Sequence, residues 1–256
     1  MFEIPVTQIT QTILGLFDLT MPTMPRAFNV LEGIANGQIL VDDLNHPRWA
    51  VVRDGAFGTL YFGGKLDTSI ANSVLEHFLK TNDVGFGCWL DDDLNDIPLP
   101  QADYDGRTMY YTERSPQVDL SSTSLSDGYS LVERDIDLLR QSTEYQWNLD
   151  IFGSEETILR ETLNYVILYE GQIVSEAGTG APTHNMIEVG VNTTESHRQR
   201  GLGWIVCAKL ISECEARGLR TWWDCATQNI ASVKLAEKLG YIHGREYRYR
   251  WWKSKK

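Results

Sequence analysis

What this 256-residue sequence has little of narrows its function before any motif is read. Positive charge is scarce: 23 Lys and Arg stand against 35 Asp and Glu, for a net charge of −12 at pH 7. A general nucleic-acid binder needs a basic face for phosphates, so the balance argues against that class, and a cationic or amine-bearing partner suits the surface better, although acidity also serves solubility. Cysteine is sparse. Cys88, Cys207, Cys214 and Cys225 show no CxxC spacing, read as small buried hydrophobes in a reducing compartment, and give no reason to expect a metal. Long apolar runs are missing too. The opening MFEIPVTQITQTILGLFDL carries Glu3 and Asp18 and no basic segment, so it reads as neither signal peptide nor membrane span. The expectation is a soluble cytoplasmic protein with no membrane or nucleic-acid partner.

What is present is the patterning of an α/β (α+β) protein, a mixed central sheet flanked by helices. A polar seam, SPQVDLSSTSLSDG at 115–128, has no helical periodicity and places a domain boundary near residue 118. That gives a smaller α/β domain over 1–118 and a second domain over 119–256. In the first, RWAVVRDGAFGTLYFGG predicts a hairpin turning across Asp54 to Gly58. The spacing of Ile70, Val74, Leu75, Phe78 and Leu79 predicts a helix over 67–80, and FGCWL a strand. In the second, strands are expected at YSLVE, NYVILYE, QIVSEAG, MIEVGV and TWWDC, with helical material over 135–162, a long helix ending at Arg217, a helix from Asn229 to Leu239, and terminal strands in YIHGREYRYRWW.

The loop HRQRGLG, 197–203, precedes the long helix, whose Val206, Leu210 and Cys214 form one stripe flanked by Cys207 and Ile211, with Gly218 as a stop. The first N–H groups of a helix have no intrahelical partner and carry the positive end of the dipole, so the loop is placed as an anion site. Gly201 and Gly203 would keep side chains away from those amides, while Arg198 and Arg200 add forked donors suited to phosphate. No Gly-Lys-Ser/Thr follows, which excludes a Walker A loop. Val206 stands where a dinucleotide fingerprint has its third glycine. Gly190, inside MIEVGV, marks a bulge or a close approach by another backbone or a ligand. A bulged strand would splay from TWWDC and admit a narrow amide-bearing chain as a false strand. Pyrophosphate at a helix end with an amide arm between splayed strands describes coenzyme A.

At these residues a family resemblance enters. IEVGVNTTESHRQRGLG followed by TWWDCATQNIASVKLAEKLGY resembles the GNAT N-acetyltransferase superfamily, most closely its branch containing the zwittermicin A resistance acetyltransferases, over residues 125–256. The resemblance implies that Gln199, Arg200, Gly201, Leu202, Gly203 and Trp204 wrap the CoA pyrophosphate, with Arg198 adjoining. It also implies that the backbone of Val191, Asn192 and Thr193 holds the acetyl and pantetheine end, and that Asn229 and Ser232 contact the pantetheine arm. Asn229 is equally suited to cap a helix, and Ser232 to sit in its first turn. Many relatives carry a tyrosine acid where this chain has Ala236. Tyr241, Tyr247 or a water are the substitutes. The N-terminal half is expected to be a degenerate half of the same fold that shapes the substrate side.

The expected activity is direct acetyl transfer from acetyl-CoA to a primary amine, taken to be that of a small molecule. An amine of pKa ~10 must lose a proton at neutral pH, so a carboxylate is expected as base. Asp224 and Glu188 are the two candidates, each also suited to a structural ion pair, and loop residues His184 and His197 are weaker ones. A CoA-binding regulatory module without turnover is the alternative that Ala236 permits, and a nucleotide-binding domain is the third reading.

Overall fold

The computed structural model describes residues 1–121 and 124–255, so positions 122 and 123 of the polar seam lie outside the described residues. The chain divides into two compact units. One is Met1–Thr108 with the C-terminal stretch from Glu246; the other is Met109–Arg245. The expected boundary near 118 differs from this division on two counts: the chain leaves the first unit before the seam, and its last strand returns there. That return is a long-range pairing, and local composition carries no record of it.

In the first unit β1 (Phe2–Glu3) precedes α1 (Gln11–Leu14) and α2 (Met24–Leu31). Then come β2 (Gly37–Val41), β3 (Trp49–Asp54) and β4 (Thr59–Gly64), each antiparallel to the strand before it, β2 to β1 included. The β3–β4 turn falls where expected, with Asp54 Oδ1 accepting from the Phe57 and Gly58 amides at 2.6 and 3.0 Å. Trp49 and Val51 of β3 pack in one buried cluster with Val74 and Phe78, while Ala50 and Val52 pack in another with Ala27 and Phe28. Burial on both faces explains why this strand reads as an unbroken apolar run. α3 (Thr68–Leu79) leads to β5 (Val84–Trp89), which is parallel to β4 and antiparallel to the chain's last strand, β14 (Arg245–Trp252). β6 (Tyr104–Tyr111) spans the point where the units divide.

The second unit adds β7 (Glu113–Arg114) and then β8 (Tyr129–Glu133). The helical stretch is three short pieces, α4 (Ile136–Gln141), α5 (Tyr145–Phe152) and α6 (Glu155–Glu161). Asp135 caps α4, Ser154 caps α6, and Gly153 ends α5 in a left-handed conformation. β9 (Asn164–Tyr169), β10 (Gln172–Thr179) and β11 (Met186–Thr193) continue antiparallel from β8. α7 (Leu202–Ala216) crosses over to β12 (Arg220–Ala226), parallel to β11, and α8 (Ile230–Lys238) and β13 (Tyr241–Ile242) follow. β13 pairs with β7. Both units therefore run strand, helices, three antiparallel strands, helix, parallel strand. The expected α/β fold with helix-flanked mixed sheets is borne out.

α7 is the spine of the second unit. Val206, Leu210, Ile211 and Cys214 are fully buried and pack with Ile167, Ala177, Ile187 and Val189 of β9 to β11. Each such aliphatic side chain contributes roughly 1.5–3 kcal/mol by leaving water. The helix stops at Gly218 (φ 76°), whose amide donates to Glu215 O while that of Leu219 donates to Cys214 O, a Schellman closure. Among the described residues no helix is long and apolar enough to cross a membrane.

Candidate active site

The start of α7 is built to leave its amides uncovered. Gly201 is the N-cap at φ 79°, no side chain caps the first turn, and a Cβ at Gly201 would meet nothing within 4 Å. Gln199 is also left-handed, at φ 61°. Left-handed residues interleaved in a turn direct successive N–H groups into one concavity, which favours an anion. The two arginines brace the loop. Arg198 Nε donates to Thr193 O at 3.0 Å, and the Arg200 guanidinium donates to the Tyr129 hydroxyl at 3.1 Å and to Ser196 O at 3.3 Å. The His197 ring lies 5.9 and 5.4 Å from those of Tyr129 and Tyr169.

A Cβ at Gly203 would make ordinary contacts, 3.4 Å from Thr193 Oγ1, 3.7 Å from Leu235 Cδ2 and 3.9 Å from Val191 Cγ2. Of the two glycines, Gly201 is the one whose missing side chain faces open space. Trp204, in the same first turn, has the Lys238 ammonium 5.7 Å from its ring centroid.

β11 and β12 part as the reading requires, without the bulge it invoked. Their parallel ladder runs from Met186 opposite Arg220 to Glu188 opposite Trp222, and the rest of both strands lies beyond it. Against β10, β11 keeps regular register from Val189 to Thr193, with Gly190 opposite Gly178, so the expected bulge at Gly190 is not there. The register irregularity lies between β9 and β10, at Ile173 and Ser175. The splay comes from the parallel strands diverging after three pairs.

Alternation along these strands sorts the remaining residues by face. Val191 and Thr193 point to α7, where they approach Gly203. Asn192, Gly190 and Glu188 therefore take the opposite face. Trp223 belongs to the core on the α7 side, so Trp222 and Asp224 lie on the other side with Glu188. The two carboxylates chosen from sequence thus share one face, both half-buried. Asn229 caps α8, accepting from the Ser232 amide at 3.2 Å, and Ser232 Oγ accepts from Trp223 Nε1 at 3.1 Å. Ala236 is fully buried.

Tyr241 is 2 % exposed, its phenol pushed well up by burial, which suits core packing with Trp223 and Tyr111 better than proton delivery. Tyr247 belongs to the other unit. His184 sits in the turn before β11 at φ 49°, with Nδ1 3.0 Å from Thr183 Oγ1.

Sequence reasoning missed Glu176, a buried carboxylate on the same face of β10. It accepts from Ser142 Oγ at 2.6 Å, Thr143 Oγ1 at 3.2 Å and Arg134 at 3.4 Å. The signal was a glutamate inside the apolar run QIVSEAG. With both oxygens engaged, it fixes the α4–α5 connection to the sheet. Nearby Glu144 is pushed up by burial and by the charge of Glu176.

A parallel strand pair that parts after three residue pairs, with a glycine-started, uncapped helix at the parting, is suited to hold an anionic ligand. The chain belongs to the GNAT acetyltransferase family, whose model matches residues 22–249. It is 27% identical over 160 residues to the uncharacterized N-acetyltransferase YdfB of Bacillus subtilis (strain 168), a match that spans 62% of this chain and 58% of that relative. Over 123 residues it is 24% identical to the ribosomal protein bS18 alanine N-acetyltransferase of Escherichia coli (strain K12), covering 48% of this chain and 77% of the relative. Among solved structures it is similar to a GCN5-related N-acetyltransferase-like protein from Streptococcus suis 89/1591, with TM-score 0.71 and 25% identity, covering 97% of this chain and all of that one. A tandem GNAT protein from the clavulanic acid biosynthesis pathway shares the fold at TM-score 0.62 and 11% identity, over 96% of this chain and 94% of that one.

Proposed function

We propose that this protein moves an acetyl group from acetyl-CoA to a primary amine of a small molecule by direct attack on the thioester, within the branch that holds the zwittermicin A resistance enzymes and in the cytoplasm. The observation that carries this is the coincidence of the uncapped α7 terminus with the β11–β12 splay. Gln199 to Trp204, with Arg198, would hold the pyrophosphate, and the backbone of Val191 to Thr193 the amide arm. Acetyl-CoA held there supplies an acyl group on a good leaving thiolate. Glu188 or Asp224 takes the proton of the amine. The net charge of −12 favours a cationic acceptor. The cysteines accord with a reducing compartment: burial raises the Cys88 thiol to about 11 and that of Cys214 to about 12, so both stay neutral.

The decisive variant is Gly201→Asp. Aspartate tolerates left-handed backbone and would place a carboxylate where an anion binds. Calorimetry should show acetyl-CoA affinity weakened at least tenfold in a folded protein. Unchanged affinity would remove the pyrophosphate from this loop. Thiol release with a panel of amines, rising with pH as acceptor and base deprotonate, separates the enzyme from a CoA-binding module without turnover.

A further inference from the structure

Gly190 is a glycine the fold does not require. It lies inside β11, where glycine weakens a strand, and its φ is not in the left-handed region. A Cβ there would meet only Gly178 O, at 3.8 Å, and the position is exposed. Its neighbour across the ladder is different. A Cβ at Gly178 would collide with Oδ1 of Asn164, whose amide is held in place by Nδ2 donating to Thr162 Oγ1 at 2.6 Å. Packing accounts for Gly178, whereas among the described residues nothing crowds a side chain at Gly190.

The surroundings show what would use the space. Glu188 and Asn192 flank Gly190 on the same face, each roughly 7 Å away along the strand. Asn164 of β9 overhangs Gly178 on one side. The other side opens to the β11–β12 splay. The result is an open strip of backbone at Gly190, bordered by the Asn164 amide oxygen over Gly178 and by Glu188 two residues along the strand, its carboxylate beside Gly180, and leading to the gap between the strands.

Resting on the transferase reading above, we propose that Gly190 is a specificity-determining residue: the acceptor crosses its backbone to reach the splay, and the strip admits a primary amine borne on an unbranched carbon. Asn164 Oδ1 and the Glu188 carboxylate receive the amine's N–H groups. In the transfer the amine nitrogen bonds to the acetyl carbonyl carbon, the carbon–sulfur bond breaks, the sulfur leaves with the electron pair, and the nitrogen's proton passes to Glu188 and on to solvent. A methyl at position 190, or a branch beside the amine, competes for the same space.

The test measures Gly190→Ala and Gly190→Val in the full chain by melting temperature, acetyl-CoA affinity and thiol release. Unbranched diamines and triamines form one acceptor set and alanine-initiated peptides the α-branched set. The parent should turn over the unbranched set preferentially. Gly190→Ala should melt no lower, bind acetyl-CoA within twofold of the parent and raise the amine KM at least tenfold, and Gly190→Val should abolish turnover. An unchanged KM in Gly190→Ala, weakened acetyl-CoA binding in that variant, or preference for the peptides overturns the inference and leaves the transferase reading standing. Acetyl-CoA binding without turnover of any amine overturns both.

Discussion

Arg140 grips Glu155 with two parallel hydrogen bonds of 2.8 and 2.9 Å, and the Tyr145 hydroxyl donates a third at 2.7 Å. These partners, Arg140 foremost, hold the Glu155 carboxyl down to about 2 from an ordinary 4.5. A depressed carboxylate stabilises the fold fully above its unfolded value and loses that contribution as pH falls through the folded one. The melting-temperature gap between the parent and Glu155→Gln should therefore be constant above pH 4.5, shrink towards pH 2, and narrow with added salt because the pair is exposed. A gap that widens on acidification would contradict the assignment. Glycine shows what a sequence can and cannot disclose at this scale. Spacing alone places Gly201 at a helix start, where it is the N-cap of α7, yet the same kind of spacing at Gly190 suggests a bulge that the regular β10–β11 register lacks. One letter covers backbone conformation, packing and access, and only coordinates separate them. Asn229 is similar: its place before α8 was legible, and its hydrogen bond to the Ser232 amide was one of the two roles weighed.

The paired helices α3 and α7 occupy the same place in their units' element order but begin in opposite ways. Asp67 caps α3 by accepting from the Ile70 amide at 2.8 Å, so a carboxylate already fills the end that α7 leaves to an anion. Acetyl-CoA should accordingly bind with a stoichiometry of one per chain by calorimetry, and a value of two would refute this contrast. Asp67→Ala should lower stability by about 1 kcal/mol, read as a shift of the urea midpoint, without altering acetyl-CoA affinity. Elements with strong periodicity or clear caps were legible: α3, α7, α8 and the strands from β8 to β12. α2 was overlooked, although Met24, Ala27, Phe28 and Leu31 repeat at helical spacing behind a proline at its start. β2 was overlooked because GQILV is short and buries only Ile39, Leu40 and Val41. The β11–β12 splay was anticipated for a wrong reason, since parallel strands diverge here without any bulge in β11.

For the molecule as a whole, a net charge of −12 should draw a cationic acceptor from a distance. If it does, the KM for such an amine rises as ionic strength goes from about 0.01 to 0.15 M, over which the Debye length falls from ~30 to ~8 Å. A salt-independent KM would confine the charge to solubility. The division into units was only partly legible, because composition marks the seam but not the strand that travels back. β14 closes the first unit by pairing Tyr247 with Trp89 through to Trp252 with Val84. That pairing sets an order of events during synthesis. β5 emerges about 155 residues before its neighbour, an interval on the order of ten seconds or more at about 5–20 residues per second. The unit translated first is therefore the one completed last, with the edge of β5 awaiting its partner while the second unit already holds all its strands.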